Sequence, residues 1–148
     1  MTDARTPTLD KVISVFLFTC IIVAIGLTIY IASNPPPGEK FTEFYLLGSS
    51  GKAAEYPMNL MVGESGTVIL GIVNHEYEDI TYRIEVRLEN TSIATMNDVI
   101  LEHEGGWEKN YTFLPEMAGD RMKLEFLLFK NGFNEIYRSL HLWVTVLS

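Results

Sequence analysis

The sequence predicts an all-β domain, an immunoglobulin-like antiparallel β-sandwich of about seven strands, behind a single transmembrane α-helix. Three observations carry this expectation. One uncharged apolar run of membrane-spanning length lies near the N-terminus, period-two apolar alternation recurs after residue 41, and turn residues punctuate the chain about every 8–12 residues with no amphipathic helical pattern between them.

The apolar run covers residues 12–32 and contains neither a charge nor a proline. As a helix it reaches about 31 Å, which matches a hydrocarbon core of roughly 30 Å. Inside lipid every backbone N–H and C=O must find a partner within the segment, so its β-branched residues do not argue against a helix. A cleaved signal peptide is the rival reading, but such apolar regions are shorter and end at a small-x-small site, which Ile31-Ala32-Ser33 does not supply. Cys20, Ala24, Thr28 and Ala32 recur every fourth residue on one face. Small residues at that spacing suit a helix-packing face, and they suit a lone anchor equally well.

Residues 1–11 form a short segment read as cytoplasmic. Arg5 and Lys11 before the span are matched by Lys40 and Lys52 after it, so the positive-inside count is a tie. Asp3 and Asp10 offset Arg5 and Lys11, which leaves the whole net charge of −8 after residue 33. An acidic domain is repelled by an anionic cytoplasmic leaflet. Two sequons, at Asn90 and Asn110, also suit an exterior address, so the expected localisation is the cell membrane with the C-terminal domain outside.

Residues 33–40 hold three consecutive prolines, Pro35 to Pro37, and read as a stiff spacer. The sandwich domain is expected over residues 41–148. Its strands are placed at 41–47, 56–62, 67–73, 80–89, 107–113, 121–130 and 133–147, the last two joined by a tight Asn131-Gly132 hairpin turn. In the clearest strand Ile80, Tyr82, Ile84, Val86 and Leu88 face one way and Thr81, Arg83, Glu85, Arg87 and Glu89 the other. In the last strand Leu140, Leu142, Val144 and Val146 are assigned to the core. Tyr137, His141 and Trp143 then face outward as a candidate partner surface, because their N–H and O–H groups would need partners inside.

A single cysteine excludes a disulfide framework and a Cys-based zinc site, and the acidic balance speaks against nucleic acid. The polar run Asn74-His75-Glu76-Tyr77-Glu78-Asp79 matches no metal-binding spacing and reads as a solvated turn, with Asn74 closing it. His103 and His141 have no Ser or Cys partner in a nucleophile motif, and no catalytic residue, metal or cofactor is implied.

The stretch from Glu55-Tyr56-Pro57-Met58 through Val62-Gly63-Glu64 and Gly66-Thr67-Val68 to Gly71-Ile72-Val73-Asn74-His75-Glu76, with Tyr82-Arg83-Ile84-Glu85-Val86 beyond, resembles a known family. It is similar to the C-terminal outer domain of the archaeal membrane proteins grouped as domain of unknown function 1616. Longer members carry several spans before this domain, whereas this chain has one. The resemblance implies an externally facing domain and supplies no catalytic residues. The expected function is a non-enzymatic, single-pass interaction domain, a small accessory subunit of an envelope or membrane protein assembly. A cell-surface carbohydrate-binding module is the alternative. Expected partners are the membrane, other membrane or envelope proteins and glycans.

Overall fold

A computed structural model of the chain describes residues 7–35 and 37–148. Arg5, most of the expected cytoplasmic segment and Pro36 of the spacer lie outside the described residues.

Helix α1 runs Pro7–Ser33 and opens on a proline, whose missing N–H is one of the donors a helix start leaves unpaired anyway. It is long and apolar enough to cross a membrane. The Thr28 hydroxyl donates to Ala24 O at 2.8 Å, within its own helix, so it is already bonded without a second helix. Asn34 closes the last turn, its backbone N–H and its side-chain amide both donating to Tyr30 O.

The second unit, Glu39–Ser148, is a two-layer β-sandwich of eight strands. Strands β1 (Phe41–Gly48), β3 (Gly66–His75) and β6 (Gly106–Phe113) form one sheet in the order β1-β3-β6. Strands β2 (Asn59–Met61), β8 (Arg138–Leu147), β7 (Gly119–Lys130), β4 (Ile80–Leu88) and β5 (Thr91–Leu101) form the other, in that order. All pairings are antiparallel except β2 with β8, which is parallel.

The core lies between Val68, Leu70 and Ile72 of β3 on one side and Ile84, Phe126 and Val144 of β4, β7 and β8 on the other, with Tyr82 fully buried among them. The alternation read for β4 holds from Ile80 to Arg87, while Leu88 is half-buried and Glu89 lies past the end of the strand with φ 47°.

Strand β5 is the one the sequence pattern did not reveal. Its inward side chains change parity, from Ala94 and Met96 to Val99 and Leu101, because Asn97 and Asp98 together oppose the single residue Arg83. That is a β-bulge, and Asp98 takes the positive φ of 58° within it. The expected strand 56–62 shrinks to three residues, and Gly63 bends the chain after it with φ 82°. Asn131 and Gly132 adopt the two positive φ values of a tight turn, closed by Phe133 N–H donating to Lys130 O. The next strand does not follow at once, however. Residues 133–137 make a loop, and β8 begins only at Arg138.

Candidate functional site

Because β8 alternates, Val144 and Val146 are buried while His141 and Trp143 point away from the core, Trp143 with 43% of its surface exposed. Leu140 and Leu142 are half-buried and pack against the core edge. Register places Lys123 opposite Trp143 and sets Arg87, Glu125 and His141 in one row across β4, β7 and β8. The His141 and Trp143 rings meet edge to face at 5.8 Å. A second bulge, in which Asp120 and Arg121 oppose Thr145, brings the Arg121 guanidinium to 5.6 Å from the Trp143 ring centre.

Around these rings the face is a ladder of alternating charge. Arg87 Nε donates to Glu85 Oε1 at 2.8 Å, and the Lys123 ammonium pairs with Glu125. The hydrogen bond from Arg87 holds the Glu85 carboxyl below its ordinary range, against partial burial. Toward the loop after β7 the face closes. Leu127 and Phe129 are buried there, with Arg83 stacked 3.9 Å over the Phe129 ring and bonded to Asn134.

Tyr137 does not join this face. It precedes the first residue of β8, so strand alternation does not set its direction, and its half-buried ring turns toward the core. There its hydroxyl donates to Glu76 Oε1 at 2.5 Å. The expectation that Glu76 belongs to a solvated turn fails for the same reason, since its side chain is folded in and only 3% of the residue is exposed. Thr42 also donates to Oε1 (2.9 Å) and Lys130 to Oε2 (3.1 Å), while Thr42 and Tyr82 share a 2.7 Å hydrogen bond. Burial pushes the Glu76 carboxyl up, and these three donors outweigh it and hold the group below the usual carboxylate range.

Asn74 closes the turn as its position suggests. Its Oδ1 accepts from Glu76 N–H, and its Nδ2 donates to Glu78 O and Leu101 O. Next to it, His75 lies between two acids, with Nε2 3.0 Å from Glu43 and Nδ1 2.9 Å from Glu104. Phe41 stacks on the His75 ring at 4.6 Å, and Tyr77 N–H donates to His103 Nδ1. This polar cluster sits where the spacer enters the domain. Among the described residues no group of three or more His, Cys, Asp or Glu is arranged to hold a metal ion.

The sequon residues are both exposed, Asn90 in the β4–β5 turn with φ 66° and Asn110 on β6. Cys20, Ala24, Thr28 and Ala32 lie along one side of α1, all exposed on the single chain.

Compared with known proteins, the chain is similar in fold to the crystal structure of the CARDB domain of the PF1109 protein from Pyrococcus furiosus, in complex with di-metal ions. That match has 10% identity and a TM-score of 0.55, and covers 73% of this chain and 89% of that one. The solution structure of the same domain matches with a TM-score of 0.52 at 10% identity, over 74% of this chain and 98% of that one. At such identity the likeness is one of fold. No curated protein matches the sequence. A family model described as a domain of unknown function, DUF1616, matches residues 35–145. The match takes in the whole sandwich apart from its last residues, and the chain therefore belongs to the DUF1616 family.

Proposed function

We propose that the chain is a single-pass, membrane-anchored binding domain, its sandwich outside the membrane, acting as a small accessory subunit of a membrane or envelope assembly rather than as an enzyme. The observation that supports this most directly is Trp143. A tryptophan left 43% exposed at the middle of a regular strand, flanked by His141 and by the Arg121 cation, is the residue type and setting of an interface anchor. The acidic domain and its two exposed sequons support the exterior placement. In blue-native electrophoresis of mildly solubilised membranes the chain should migrate in a complex well above its 16.7 kDa, and Trp143→Ala should deplete that complex. Migration of the native chain as a monomer only would overturn the reading.

A cell-surface glycan is the second ligand class, favoured by the Glu125 carboxylate lying directly across from His141 beside the exposed indole. A glycan array probed with the full chain in detergent tests it, with binding lost in Trp143→Ala as the expected result. An array without signal removes it.

A further inference from the structure

The two ends of the sandwich differ in chemistry. Phe41 and Phe113 pair with opposite ends of β3, so the spacer enters about 30 Å from the end where β6 finishes. The entry end holds the polar cluster of Glu43, His75, His103 and Glu104. At the far end the sheets part between β5 and β6, each the edge strand of its own sheet. The gap is a groove of about 600 Å³ whose apolar lining includes Leu88, Ile93, Phe113, Leu114, Met117 and Met122. Ile93 is 45%, Leu114 58% and Met117 75% exposed, so these three, unlike Phe113, Leu88 and Met122, are not explained by the core. Glu89 and Glu116 stand at the same groove, Glu89 with one carboxylate oxygen accepting from Lys123 N–H and the other unused by that bond, and among the described residues no basic side chain lines it. Glu116 takes part in none of the ion pairs among the described residues.

We propose that this groove docks an apolar segment of another protein flanked by Lys or Arg residues. The chemistry of the groove selects that occupant over two others. A second copy of the chain would set two acidic rims and two domains of like charge against each other, and an anionic lipid surface would be repelled by the same carboxylates. A cationic flank instead meets Glu89 and Glu116 while its apolar residues cover Leu114 and Met117. Methionine adapts its shape to varied side chains, and it supplies two walls of the groove. An extended segment lying there also runs beside the free edge of β6, where backbone groups not used by β3 can pair with it. The inference rests on the binding-domain reading but uses a surface separate from the Trp143 face.

The test is fluorescence anisotropy of the full chain in phosphatidylcholine nanodiscs, with empty nanodiscs as reference. Two labelled synthetic peptides share a five-residue Leu/Val/Phe core and differ only in two Lys or two Glu at each end. The Lys-flanked peptide should bind at least tenfold more tightly than the Glu-flanked one, and added salt should narrow that ratio. Met117→Lys, at a position 75% exposed, should weaken the Lys-flanked peptide at least tenfold, whereas Ile136→Lys, the same change at an exposed position outside the groove, should leave it unchanged. Binding no greater than to empty discs, equal binding of the two peptides, or indifference to Met117→Lys overturns the groove proposal. So does dimerisation of the chain that Met117→Lys abolishes. If the peptide arm fails while the high-mass complex persists, the groove assignment falls alone. If the native chain is monomeric in membranes, the binding-domain reading falls as well.

Discussion

The Tyr45 hydroxyl donates to Glu108 Oε1 at 2.7 Å, reaching from one edge of the three-stranded sheet to the other across Gly71. The three residues stand in one row, Tyr45 opposite Gly71 and Gly71 opposite Glu108. Only a residue without a side chain leaves room for the ring, because a Cβ at position 71 would lie 2.0 Å from Tyr45 Cζ. Gly71→Ala should therefore displace the ring, break the bond to Glu108 and cost about 1–3 kcal/mol, the usual range for an inserted group in a packed site. Thermal melts check this. A variant as stable as the native chain would show that the ring has room to spare.

The buried carboxylate of Glu76 gives the second prediction. Tyr137→Phe removes one of its three donors and should cost about 1–3 kcal/mol, as expected when a buried charged acceptor loses a partner. Since the folded-state pKa of Glu76 is lowered, its contribution is present above the unfolded carboxylate value of about 4.5 and is lost as pH falls through the lower folded value. Acid denaturation followed by circular dichroism should begin at a higher pH in Tyr137→Phe than in the native chain.

His75 behaves in the opposite sense. A neutral imidazole carries one N–H, so contacts of both ring nitrogens with Glu104 and Glu43 are hydrogen bonds together only in the imidazolium form. The bond to Glu104, and then that to Glu43, raise its pKa against partial burial. The stabilisation is thus complete below the ordinary value of 6.5 and is lost as pH rises through the raised folded value. Melting temperature should fall across that window, and His75→Gln should flatten the fall. An unchanged slope in His75→Gln would assign the dependence to other groups.

On β8 the two faces should separate stability from assembly. Val144→Ala truncates a fully buried side chain and should cost about 1–3 kcal/mol, while half-buried Leu142→Ala should fall near the low end of roughly 2–5 kcal/mol. Trp143→Ala should cost less than either and still deplete the high-mass complex. If melts rank Trp143→Ala as the most destabilised of the three, the outward face is structural and not a contact surface.

What the sequence disclosed and what it hid follow from how local each feature is. Strand β4 is legible because its nine residues keep one period in the sequence. The Asn131-Gly132 turn was legible because positive φ selects those residue types. Strand β5 was not, since a bulge at Asp98 resets its parity and a second irregularity leaves Ile93 unpaired opposite the Val86–Arg87 step. The burial of Glu76 was hidden for a different reason. Its partners Thr42, Lys130 and Tyr137 lie 34, 54 and 61 residues away in sequence, and only the meeting of β1, the end of β3, β7 and the loop before β8 brings them together. A period-two rule extended past Arg138 points Tyr137 outward, although the strand that obeys that rule begins only at Arg138.

The attachment point of the spacer has a mechanical consequence. The chain enters the domain at Phe41, the first residue of β1, which runs antiparallel to β3 over eight paired positions. When the far end of the sandwich is held and the spacer is pulled, the load runs along the strand axis. The β1–β3 hydrogen bonds are then strained together in shear, where tension across the strands would open them one after another. A domain tethered in this way resists a steady tug from the α1 side at the strand that bears it, and its rupture requires the eight-residue ladder to fail as a unit.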